Sequence, residues 1–273
     1  MRVDGKVGLV TGAGQGIGRA IAVELARQGA AGVVVADRSG DTAAETAELV
    51  RAEGAECTAI ACDLRDRDQI EAMVAQAADV LDGLDMLFNN AGIIETALTS
   101  DCRVDTLPED VWDAVYEVNL KAPWLVTKLA APHLRRSPRG PAIVNTASVS
   151  GLTGFESGPA YCTTKGGVIQ LTRVTAVDLA PEVRCNCFCP GVIETPLSKA
   201  FIDGADDPVA FGAAMIAPQL VPRLGRPVEV AQLACYLASD AAAFITGNVF
   251  VIDGGALAWS GARDRAAVDA AST

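Results

Sequence analysis

Tyr161 and Lys165 stand four residues apart, so a helix through them carries a phenol and an ammonium on one face. A free phenol titrates near 10. It becomes a useful base near neutrality only if that value falls by ~3 units, or ~4 kcal/mol. One ammonium about 4 Å away contributes ~4 kcal/mol at an effective dielectric of ~20. The pair can therefore move a proton without imidazole, which suits a chain whose single histidine is His133. Ser148 lies 13 residues before Tyr161 and follows a strand-like apolar run. That puts its hydroxyl at the carboxyl end of a strand, where ligands of parallel sheets bind.

A second constellation sits near the start. Residues 11–18 read Thr-Gly-Ala-Gly-Gln-Gly-Ile-Gly. The spacing is TGxxxGxG, not GxGxxG, yet the physics is shared. Glycines allow a tight turn and close approach of backbone to a pyrophosphate, which then rests on the following helix N-terminus. Gly12, Gln15, Gly16, Ile17 and Gly18 are the candidate contacts. Asp37 ends the next apolar run, 19 residues after Gly18. A carboxylate there accepts hydrogen bonds from adenosine ribose hydroxyls and repels a 2′-phosphate. Arg38 follows it, but the turn itself offers Gln15 and no cation. The expected cofactor is NAD, in preference to NADP.

These groups need a scaffold, and the pattern supplies one. Apolar runs at 7–11, 32–37, 56–62, 84–88, 142–147, 183–188 and 248–252 alternate with helical stretches. The helices are expected at 16–29, 41–54, 67–82, 108–136, 159–180 and 227–238. This alternation predicts an α/β, doubly wound, seven-stranded parallel sheet with helices on both faces. The expected layout is one dinucleotide-binding domain over 1–255 and a C-terminal tail over 256–273. Two long irregular stretches, 93–107 and 195–226, are expected to be functional.

Composition narrows the function classes. The 273 residues are half apolar and 21% charged, with a net charge of −12. That balance argues against nucleic acid and against an anionic membrane surface. Eight cysteines are scattered apart from Cys185, Cys187 and Cys189, with no CxxC pair. They are expected to be reduced, in a cytoplasmic protein with no metal site. The alternating trio reads as one buried strand face. Cys162, beside Tyr161, is a thiol whose labelling would block the site.

Taken together, TGAGQGIG (11–18), Asp63, NNAG (89–92), Asn119, Ser148, Tyr161-Cys-Thr-Thr-Lys165, Pro190-Gly191 with Thr195, and Asp253-Gly254-Gly255 resemble the short-chain dehydrogenase/reductase family over nearly the whole chain. The resemblance implies a Rossmann-like fold and a catalytic set of Asn119, Ser148, Tyr161 and Lys165. It implies that Asp63 and Leu64 meet the adenine, that Asn90 to Gly92 pass the ribose, and that Ile193 and Thr195 hold the nicotinamide carboxamide. By the same likeness Ser148 holds the substrate oxygen, and Asn119 anchors a water linking Lys165 to solvent. Hydride transfer would be pro-S, residues 197–220 would cover the substrate, and the protein would be a tetramer or dimer.

Ile93, Ile94, Phe155, Phe201, Phe211 and Met215 are the apolar candidates for the pocket wall. Such a wall suits a neutral secondary alcohol, diol or ketone. The other readings are a 3-oxoacyl-thioester reductase acting on a carrier protein, and a non-catalytic nucleotide-binding sensor or scaffold.

Overall fold

The computed structural model describes residues 2–79 and 83–261. Seven parallel strands form one sheet in the order β3-β2-β1-β4-β5-β6-β7. They are β1 (Val7–Thr11), β2 (Gly32–Asp37), β3 (Glu56–Ala61), β4 (Met86–Asn89), β5 (Ala142–Thr146), β6 (Arg184–Pro190) and β7 (Val249–Ile252). The chain winds outward from β1 through β2 to β3, then returns to place β4 on the other side of β1. That reversal opens a crevice at the carboxyl ends of β1 and β4.

Alternation along the strands sorts the core. Val10, Val33, Val35, Phe88, Val144 and Phe188 face helices α1 (Gly16–Arg27), α2 (Gly40–Ala52) and α9 (Pro227–Ala238). Leu9, Val34, Leu87, Ile143 and Cys185 face α3 (Arg67–Asp79), α5 (Ala122–Leu134) and α6 (Pro159–Asp178). The period of two therefore builds two apolar layers on one sheet, the Rossmann-like arrangement.

Two expectations need adjusting. The helix expected over 108–136 is interrupted. α4 (Glu109–Tyr116) passes through a π turn (Glu117–Lys121) before α5 begins. Pro123 explains the wide turn, because a proline lacks an N–H and its ring crowds the carbonyl four residues back, here that of Asn119. The stretch 195–226, expected to be irregular, contains α7 (Pro196–Asp203) and α8 (Pro208–Ile216). Each starts with a capping side chain followed by proline: Thr195-Pro196 and Asp207-Pro208. The helix expected to reach residue 82 is described to Asp79, and most of the tail expected over 256–273 lies outside the described residues.

Candidate active site

The glycine turn closes over the end of β1. Gly12 and Gly16 adopt left-handed φ values of 62° and 57°. A Cβ on Gly18 would lie 2.2 Å from the Gly12 carbonyl oxygen, so α1 packs against the turn only with glycine there. The first turn of α1 has no acidic residue, and Gln15 makes no side-chain cap. Its backbone N–H groups are thus left to an anion. Asp37 bridges the turn and β2: its carboxylate accepts from Gly14 N–H at 2.8 Å and from Ser39 N–H at 3.0 Å.

Asn90 ties three strand ends together. Its amide donates to the carbonyls of Thr11 and Gly12, both at 3.1 Å, and its oxygen accepts from Thr146 Oγ1 at 3.4 Å. Asp63 is already engaged: Arg65 Nη2 donates to it at 2.6 Å. That bond, aided by further contacts with Arg65, lowers the carboxyl to about 2.

The acid–base residues converge from three elements. Lys165 is buried on α6 and donates to the Thr146 carbonyl at 2.8 Å. Its Nζ stands 5.6 Å from the centre of the Tyr161 ring. Asn119, on the π turn, clamps Ile93 by both of its main-chain groups, each at 2.8 Å. Gly92 runs between them: a Cβ there would sit 3.2 Å from Lys165 Nζ and 3.5 Å from Asn119 Oδ1. Ser148 accepts from Ser150 N–H at 3.1 Å and hydrogen-bonds Tyr161.

The electrostatics differ from the expected lowering of the phenol. Burial raises Tyr161 above its ordinary value, and the Ser148 hydrogen bond only opposes it. Burial also pushes Lys165 down to about 8. Desolvation acts against both charged forms at once. The protein's own groups therefore leave the phenol protonated at neutral pH.

A cavity of about 520 Å³ joins these parts. Asp37, Arg38, Asp63, Leu64 and Arg65 line one end, the glycine turn with Asn90 and Gly92 the middle, and Thr146, Tyr161, Lys165 and Thr195 the other. Ile93 and Ile94 line it, joined by Ala97, Leu98, Val118 and Leu197. Phe155 lies outside the lining, its ring 6.3 Å from that of Tyr161. Phe201 and Phe211 stack edge-on at 5.1 Å, joining α7 to α8. Met215 sits on α8, also outside the lining. Ile193 is buried and bridges Gly225, which fastens the two ends of the 195–226 segment together. Sequence reasoning missed Glu95, Thr146 and Arg65. A glutamate inside the apolar string Ile-Ile-Glu-Thr-Ala-Leu was the one available hint.

Comparison with known proteins agrees with this geometry. A family model described as Enoyl-(Acyl carrier protein) reductase matches residues 12–256. A 3-oxoacyl-(acyl-carrier-protein) reductase FabG of Thermotoga maritima is 36% identical, covering 93% of this chain and 99% of its own. A cyclopentanol dehydrogenase of a Comamonas strain is 35% identical, covering 93% and 98%. The crystal structure of a putative short-chain alcohol dehydrogenase from Sinorhizobium meliloti superposes with a TM-score of 0.87 at 33% identity, covering 95% and 99%. Strand order, glycine turn and the Tyr161–Lys165 helix thus share one origin: the chain belongs to the short-chain dehydrogenase/reductase family of oxidoreductases.

Proposed function

We propose that the protein is an NAD(H)-dependent oxidoreductase that interconverts a secondary alcohol or diol and a ketone, with Tyr161 as general acid and base. The observation that carries this is one continuous cavity with Asp37 at one end and Tyr161 and Lys165 at the other. The residues fit a nicotinamide dinucleotide. The uncapped start of α1 suits the pyrophosphate, and Asp37 suits the ribose hydroxyls. Asp63 and Leu64 would meet the adenine, and Ile193 and Thr195 the carboxamide. A nicotinamide held in this cavity would supply hydride chemistry at the carbinol carbon. Ser148 holds the substrate oxygen, and Tyr161 Oη takes its proton during oxidation or returns it during reduction. Lys165 supplies the nearby positive charge, and Asn119 holds the main chain of Ile93 at the cavity wall.

The wall near Tyr161 is apolar, which favours a neutral, compact substrate over a sugar phosphate. The likeness to the Thermotoga carrier-protein reductase supports a second reading, a 3-oxoacyl-thioester reductase. A screen of secondary alcohols, diols, cyclic ketones and an acetoacetyl thioester, each with NAD and NADP, separates them. Turnover of alcohols with NAD is expected. Activity confined to the thioester with NADPH would displace the first reading, and tight NAD binding without any turnover would favour a sensor. In Asp37→Ser, loss of the carboxylate is expected to cut the NAD-over-NADP ratio of kcat/KM by at least about tenfold, or ~1.4 kcal/mol.

We also propose a cytoplasmic homo-oligomer. No helix among the described residues is long and apolar enough to cross a membrane. Trp124, Val174 and Val177 are exposed on α5 and α6, apolar surface suited to a second copy. Light scattering should return two or four times the chain mass, and a monomer would refute the assembly.

A further inference from the structure

Glu95 is fully buried, in the short turn Glu95–Ala97 between β4 and α4. Acidic side chains are almost never fully buried unless paired. Among the described residues no lysine or arginine forms an ion pair with it. One carboxylate oxygen, Oε1, accepts from the N–H groups of Ala160 at 2.9 Å and Tyr161 at 3.2 Å. The other, Oε2, has no hydrogen-bond partner. The helix being served is α6. Its cap position is Gly158, which has no side chain to offer, and Pro159 follows it. The donors that a local cap would satisfy therefore find their acceptor 65 residues away.

The placement joins the cavity wall to the acid–base residue. Ile93, Ile94, Ala97 and Leu98 line the cavity on either side of Glu95. Asn119 holds the same segment at Ile93. From this geometry we propose that Glu95 is a positioning residue for Tyr161: a buried carboxylate that fixes the first turn of α6 against the cavity wall and biases the phenol toward proton donation. The inference rests on the reading of Tyr161 as the general acid and base.

The charges around the phenol support that bias. Burial is the main cause that raises Tyr161 and the neighbouring thiols Cys102 and Cys162, and Glu95 adds to it in the same sense at all three. Cys162 on α6 also raises Tyr161, whereas Ser148, from the turn after β5, lowers it. Lys165 lies one turn further along α6 and is held at the Thr146 carbonyl. The acids of α4 (Glu109, Asp110 and Asp113) are exposed to solvent. A protonated phenol is the form that ketone reduction consumes, so Glu95 extends reduction toward alkaline pH.

Glu95→Gln tests the charge while keeping an acceptor and the shape. The pH at which ketone-reduction kcat falls to half is expected to move toward acid by about half a unit or more. A pH profile that superimposes on that of the wild type overturns the proposal. Should that variant fail to fold, Glu95→Asp carries the test. With its charge kept and its reach shortened, it should show the wild-type profile and a reduced kcat; a displaced profile would overturn the proposal. Glu95→Ala is expected to lose about tenfold in kcat while cofactor binding, followed by fluorescence, stays within twofold. Undiminished kcat in that variant also counts against the positioning role. Tyr161→Phe, assayed alongside, separates the two readings. If it stays active, the acid–base assignment has failed, and the Glu95 cap is still measurable by thermal unfolding.

Discussion

Tyr161→Phe loses turnover by about 10³-fold or more while folding and binding NAD as the wild type does. The expected size follows from the 10²–10⁴-fold typical of a positioned general acid or base, with no second titratable group placed to replace it. His133 cannot substitute. It pairs with Arg136 at the end of α5, on the far side of the fold from the carboxyl strand ends. Ser148 can hold an oxygen but does not ionise in this range. The change removes one oxygen from a side chain whose ring already packs near Phe155, so the helix and the cavity remain. Measurement of kcat on the best alcohol, beside a binding titration with NAD, checks both halves. Turnover within tenfold of wild type would sink the acid–base assignment.

The second large effect is on Lys165, where activity and stability move in opposite directions. Lys165→Met is expected to lower kcat about 10²-fold or more, because it removes the only ammonium near the phenol among the described residues. Its effect on folding depends on pH. Burial takes this lysine from an ordinary 10.5 to about 8. Between those values the unfolded chain holds a proton that the folded chain has released, so wild-type stability rises with pH across that window. Below pH 8 the folded protein carries a buried cation at a cost of roughly 3 kcal/mol. The methionine variant has no such term, although it forfeits the bond to Thr146. Wild type should therefore gain roughly 3 kcal/mol on the variant between pH 7 and pH 10.5. Urea unfolding at the two pH values measures this, and a constant difference would contradict the burial argument.

The parts of this site that were legible in the sequence are those fixed by local chemistry. Strand and helix alternation, the glycine turn and Asp37 all depend on residues near each other in the chain, and β2 ends at Asp37 as the pattern implies. The i, i+4 spacing put Tyr161 and Lys165 on one helix, but it could not say that both would be buried. Charge proximity alone suggested a lowered phenol, and desolvation reversed the sign. Apolarity was likewise ambiguous. Phe201 and Phe211 look like pocket residues, yet they pack on one another between α7 and α8. Glu95 was beyond reach because its partners lie across the fold. The helices at 196–216 were within reach, since both carry cap-then-proline signals that length alone overrode.

The π turn at Glu117–Lys121 has one more consequence, for how this stretch of chain tolerates change. A π turn accommodates one residue more than the regular helix, and each helical residue accounts for roughly 100° of rotation. α4 and α5 are therefore out of phase. α4 can aim Ala114 at the cavity while α5 aims Val126 and Ala130 at the sheet. The turn takes up one residue of slack in the sequence pattern, so deleting one residue within 117–121 lets an ordinary α turn form there while both faces stay on what they cover. What a deletion removes is local: Asn119 grips the main chain of Ile93 from this turn, and the shortened helix would lose that grip while keeping its packing.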